Sequence, residues 1–140
     1  MGKRTDQIRD AARERRELLV RRSRILDAKE AEAARERRAA KAALTAARED
    51  VLDIIRKHSP RVSAAYRTEK RLATAADKAW KLARRHPHNQ RYQADADAAH
   101  TAEDHAIADR KRLIRHRDGE LAAAQRKVKI AEERLRKLGG

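Results

Sequence analysis

Six histidines, one Trp, two Tyr and a large excess of Arg and Lys are the side chains in this sequence that could do chemistry. His86 and His88 flank Pro87, and His100 and His105 stand five apart in a helical stretch. A spacing of five turns two imidazoles to different faces, whereas zinc-binding helices use a spacing of four. His58 and His86 fall where helices are expected to end, a position the helix dipole favours for imidazolium. Asp95, Asp97, Glu103 and Asp104 are acidic, but residues two apart point to different sides of a helix. The sequence has no Cys, no glycine-rich phosphate loop, no HExxH and no nucleophile elbow. These residues predict no enzyme, no metal site and no cofactor.

The basic runs carry more. Arg13, Arg15, Arg16, Arg21, Arg22 and Arg24 form one; Arg110, Lys111, Arg112, Arg115 and Arg117 form another; Arg126, Lys127 and Lys129 follow. The formal net charge is +15, which favours a polyanionic partner. Arg13, Arg16, Arg21, Arg22, Arg24, Arg110, Lys111, Arg112, Arg115, Arg117, Arg126 and Lys127 are the expected phosphate contacts. Such contacts give affinity and salt dependence without reading base sequence. A bZIP pattern needs a basic helix running straight into a leucine zipper; Arg13–Arg24 run instead into an Ala-rich stretch. Trp80, Tyr66 and Tyr92 could stack on bases. They fall on or beside one apolar stripe, so a small aromatic cluster steadying a helical hairpin is the simpler expectation.

The elements that position these residues are helices. Ala, Arg, Glu, Leu and Lys dominate, charged residues are 42% and aromatics 2%, the composition of long helices and coiled coils. Ile107, Ile114, Leu121, Val128 and Leu135 recur every seven residues, with Ala124, Ala131 and Leu138 at companion positions. That is a heptad seam. Ile8, Ala12, Leu19, Leu26, Ala33, Ala40, Ala47 and Ile54 repeat mostly by sevens near the N-terminus, with Leu44, Val51 and Ile55 as a second row. His58-Ser59-Pro60 reads as a boundary, with Ser59 as N-cap and Pro60 as first helical residue. Pro87 reads as a second, with Asn89 as the cap of the last helix.

The sequence therefore predicts an all-α protein, a single elongated domain over 1–140. It is an antiparallel bundle of three long helices at about 5–57, 60–85 and 89–138. A break at Gly119, giving a fourth helix, is the alternative. Residues 61–85 carry eight basic and two acidic side chains, while 91–109 carry Arg91 against five acids. Folding back at Pro87 would set Lys78 and Lys81 against Asp95 and Asp97, and Lys70 against Asp104. The short middle helix would leave Leu121 to Leu138 without a partner in the chain. Ile107, Ile114, Leu121, Val128, Leu135 and Leu138 are thus the expected assembly seam, and the positive ends lie at about 1–24 and 110–140.

No apolar run approaches a membrane span, and MGKRTDQIRD lacks the apolar core of a secretory signal. A cytoplasmic protein is expected, or a virion-associated one. Arg exceeds Lys more than twofold and Ala is abundant, as GC-rich codons give in a bacterium or bacteriophage. The expected function is an oligomerising, basic coiled-coil structural protein that binds DNA or RNA through phosphates. The alternative is an assembly factor, such as a phage scaffold, virion component or host-interaction adaptor, whose positive ends meet an acidic protein.

Overall fold

The computed structural model describes residues 2–139. The described residues form two helices and the turn between them: α1, Gly2–Arg85, and α2, Gln90–Lys137. The all-α expectation holds, and the helix count does not. The boundary expected at His58-Ser59-Pro60 does not exist, because Pro60 lies inside α1. The helices expected at about 5–57 and 60–85 are one. A Pro within a helix removes one hydrogen bond and crowds the carbonyl four residues back, at about 3 kcal/mol. Here Pro60 and Arg56 are on the exposed side. His58 and Val62, either side of it, are both buried, and that packing holds the helix through the proline. Gly119 likewise does not break α2. A Gly in a helix costs only about 1 kcal/mol against Ala.

The turn at residues 86–89 reads from the sequence as it is built. Asn89 caps α2: its Oδ1 accepts from the Tyr92 backbone N–H at 3.1 Å. Gln93 reaches back, its Nε2 donating to the Ala83 carbonyl at 3.0 Å, which satisfies an end carbonyl of α1. His86 and Tyr92 pack ring against ring with centroids 5.3 Å apart. At the other end of α2, Gly139 adopts φ +72° and donates its N–H to the Arg136 carbonyl, a left-handed helix stop that favours Gly.

Contacts divide the chain into two units. One is Ala46–Lys129, an antiparallel helical hairpin around the turn. Its seam is narrow and rich in Ala. On α1 one row of half-buried and buried positions is Ala47, Val51, Ile54, His58, Val62, Ala65, Glu69, Leu72, Ala76, Ala79 and Ala83. They alternate by four and three, except for two consecutive fours centred on His58. On α2 they include Tyr92, Ala96, Ala99, Glu103, Ala106, Ile107, Arg110, Ile114, Arg117, Leu121, Ala124 and Val128. Ile107, Arg110, Ile114, Arg117, Leu121, Ala124 and Val128 step by three and four in turn, without the pair of fours found at His58. Such a stutter unwinds a supercoil locally. The stutter of α1 therefore falls on His58, a polar side chain that is held across the hairpin.

The second unit takes Thr45 and the described residues before it, together with Ile130 and those after it. Ala40 and Leu44 are buried there, and Ala131, Leu135 and Leu138 are half-buried. Residues 2–33 of α1 are all exposed.

Candidate functional site

Arg13, Arg16, Arg21, Arg22 and Arg24 all lie on the exposed stretch of α1. Arg9, Arg13 and Arg16 follow one another by four and three, and Arg24 lies eight beyond Arg16, so these four share one face. The large apolar side chains mostly take the other side. Ile8, Leu18, Leu19, Ile25 and Leu26 are each more than half exposed. Arg15, Arg22 and Lys29, seven apart, lie in the middle of that apolar stripe. One helix surface thus presents a row of guanidinium groups, and the opposite one presents an apolar row threaded with positive charge.

The second basic run is partly engaged within the protein. Arg110 is clamped across the hairpin by Glu69, which accepts from its Nε and from Nη2. Its guanidinium also lies 4.9 Å from the Tyr66 ring centroid. The hydrogen bond to Glu69 raises the Arg110 pKa above its ordinary value. Arg112 pairs with Asp109 one turn away, and the half-buried Arg117 with its neighbour Asp118. Lys111, Arg115, Arg126 and Lys127 are exposed. The run Arg13–Arg24 belongs to one unit and Arg110–Lys127 to the other.

Several expectations change here. The cross-helix charge pairs are Glu69 with Arg110, of opposite sign to those expected, and Lys57 with Glu120, of the expected sign but on other residues. Lys81 pairs with Asp77 on its own helix at 3.0 Å, not with Asp95 or Asp97. The aromatic residues do not cluster. Arg84 covers Trp80 at 5.1 Å, Arg110 covers Tyr66, and Tyr92 meets His86. In a seam made mostly of Ala, guanidinium stems and planes are the available cover for a ring. Ile107, Ile114, Leu121, Val128, Leu135 and Leu138 are each half-buried. The stretch Leu121 to Leu138 was expected to lack an in-chain partner only because α1 was expected to stop at Pro60. With α1 continuous, Ala47 and Ile54 lie beside Ala123 and Ala124, and the stretch in which every residue is exposed is 2–33.

Among the described residues, the largest fully buried side chain is one that the sequence placed at a helix end. His58 is 1% exposed, and its Nε2 lies 2.7 Å from Glu120 Oε2. The other carboxylate oxygen of Glu120 is 3.0 Å from His116 Nε2 and 3.7 Å from Lys57 Nζ. The two imidazoles meet edge to face at 5.5 Å. His58 Nδ1 is buried without a hydrogen-bond partner, so the ring's polar tie runs through Nε2 alone. The carboxyl of Glu120 is held below its ordinary value, first by the His58 hydrogen bond and then by the charges of Lys57 and the imidazoles. A signal for His58 was present: it stands seven residues after Val51 and fourteen after Leu44, on the second apolar row. His116 and Glu120 stand four apart, the spacing that puts two ligands on one helical face.

Among the described residues no helix is long and apolar enough to cross a membrane. Scans against protein-family models, curated proteins and solved structures find no match to this chain.

Proposed function

We propose that this chain is a non-enzymatic, oligomerising basic helical protein that holds nucleic acid by its phosphate backbone without reading sequence. The observation that carries the reading is the exposed stretch of α1, with two differently built sides. Arg9, Arg13, Arg16 and Arg24 form a row suited to phosphates. Ile8, Leu18, Leu19, Ile25 and Leu26 form an apolar row of the kind a second helix covers. The net charge of +15 gives the long-range attraction, and exposed Lys111, Arg115, Arg126 and Lys127 extend the basic surface on α2.

Binding to unrelated DNA and RNA duplexes, measured from about 50 to 200 mM salt, tests this reading. Each neutralised phosphate contributes roughly 0.9 to the slope of log affinity against log salt. Replacing Arg13, Arg16 and Arg24 with Ala lowers that slope by about 2.7 if all three make contacts. No binding at about 50 mM salt sinks the nucleic-acid part. Light scattering tests the other part: self-association requires a mass above that of one 16.0 kDa chain.

A second reading is supported by Arg15, Arg22 and Lys29 in the apolar stripe. Two such stripes paired in parallel would stack like charges layer upon layer, which is destabilising. An acidic helix, with carboxylates at matching sevens, would satisfy both the apolar row and its charges. On this reading the chain is a protein–protein assembly factor, and its affinity for nucleic acid is absent while that for an acidic helical partner is present.

A further inference from the structure

We infer that His58, His116 and Glu120 form a binding site for a divalent transition metal that clasps α1 to α2. One ring nitrogen of His58, one of His116 and a Glu120 carboxylate oxygen all lie within 4.8 Å of one another. Two imidazole nitrogens and one carboxylate oxygen suit a borderline cation of the Zn²⁺, Co²⁺ or Ni²⁺ class. They do not suit Mg²⁺ or Ca²⁺, which take oxygen ligands. The site is built from both helices. His58 is fixed by burial inside the α1–α2 seam, at the point where the seam steps by two fours. His116 and Glu120 share a face of α2 one turn apart. His116 is 64% exposed, so solvent water completes the coordination shell and gives the cation a path of entry.

The three groups already stand together: His58 Nε2 is hydrogen-bonded to one Glu120 carboxylate oxygen at 2.7 Å, and His116 Nε2 lies 3.0 Å from the other. A cation entering between them replaces these contacts with coordination, and any proton shared between an imidazole Nε2 and the carboxylate leaves to solvent. Lys57 Nζ, 3.7 Å from Glu120 Oε1, is the local opponent. Its side chain is 52% exposed and swings into water when the cation binds. The consequence is a hairpin whose stability responds to metal, since a ligand held only by the folded state raises the unfolding temperature.

The test uses the full chain stripped with chelator, with Co²⁺ and Zn²⁺ as probes. Expected results are a visible Co²⁺ absorption band distinct from the aqua ion and a rise in unfolding temperature with Zn²⁺. His116→Ala abolishes both, while its metal-free helix content and unfolding temperature stay close to the parent's, because His116 is mostly exposed. Glu120→Gln weakens binding by about 10-fold or more, and Lys57→Ala tightens it. A Co²⁺ spectrum identical to the aqua ion overturns the inference. So does a Zn²⁺-induced rise that survives in His116→Ala, which would place the metal on the His86, His88 or His100 side chains instead.

Discussion

Replacing Pro60 with Ala tests the unbroken α1 directly. Pro60 is an interior residue of an 84-residue helix. It offers no N–H to the Arg56 carbonyl, and its ring crowds that carbonyl. Inside a helix Pro is about 3 kcal/mol worse than Ala. Against this, the unfolded chain gains freedom when Pro is removed, worth about 0.4–1 kcal/mol. The net expectation is a stabilisation of about 2 kcal/mol. For a chain of this size each kcal/mol moves the unfolding temperature by roughly 3–5 °C. Pro60→Ala should therefore raise it by about 6–10 °C, followed by circular dichroism at constant protein concentration. Ser59→Ala is the companion. Within a helix, Ala is favoured over Ser by a few tenths of a kcal/mol, whereas losing an N-cap Ser costs about 1 kcal/mol. A chain broken at Ser59 reverses both signs, because Pro is well placed at a first helical position. An unchanged or lowered unfolding temperature in Pro60→Ala, with a loss of about 1 kcal/mol in Ser59→Ala, would refute the continuous helix.

Other substitutions probe the seam and its polar layers. A Cβ added at Gly119 meets nothing, so Gly119→Ala should stabilise by about 1 kcal/mol in urea unfolding; a loss there would mean that the backbone bends at this residue. Ala76 is 1% exposed, and Ala76→Leu should cost about 1–3 kcal/mol by forcing the helices apart, while a neutral result would deny the close seam. Glu120 has its folded pKa lowered, so its contribution is fully present above the ordinary carboxylate value of 4.5 and is lost as pH falls through the lower folded value. In chelator, the unfolding temperature of the parent should drop across that acid range, and Glu120→Gln should flatten the drop. Breaking the clamp with Glu69→Gln should lower the unfolding temperature more than Asp77→Asn, which removes only an exposed pair with Lys81; equal effects would make the Arg110 layer ornamental.

What was legible in the sequence was whatever local chemistry decides. Pro87 and Asn89 mark the turn because a chain that has just lost its helix needs a cap, and Asn89 supplies one four residues past Arg85. The sevens from Ile107 onward mark a seam because periodicity depends only on the helix itself. Pro60 misleads because Ser-Pro looks the same at a helix start and inside a helix held by its surroundings. Those surroundings, His58 and Val62 buried against α2, lie far along the chain. The His58, His116 and Glu120 cluster was hidden for the same reason: two of its members are 62 residues apart. Only the antiparallel register brings them together, and that register is fixed by a thin row of Ala and by the Glu69–Arg110 clamp. Arg110 carried no mark that separates a clamped guanidinium from its exposed neighbours Lys111 and Arg112.

The four-residue turn has a consequence for how the hairpin forms. Gln93 and Ala83 are ten residues apart, and His58 and Glu120 are 62 apart. Loop-closure entropy grows with the logarithm of the loop, so joining the distant pair directly costs about 1.6 kcal/mol more than joining the near one. Once the near pair is made, each further layer closes a loop of only a few residues. Formation therefore runs outward from Asn89 like a zip, and opening runs inward toward it. Amide protons around Ala83, Ala96 and Ala76 should be the slowest to exchange, and the His58 layer should open before them.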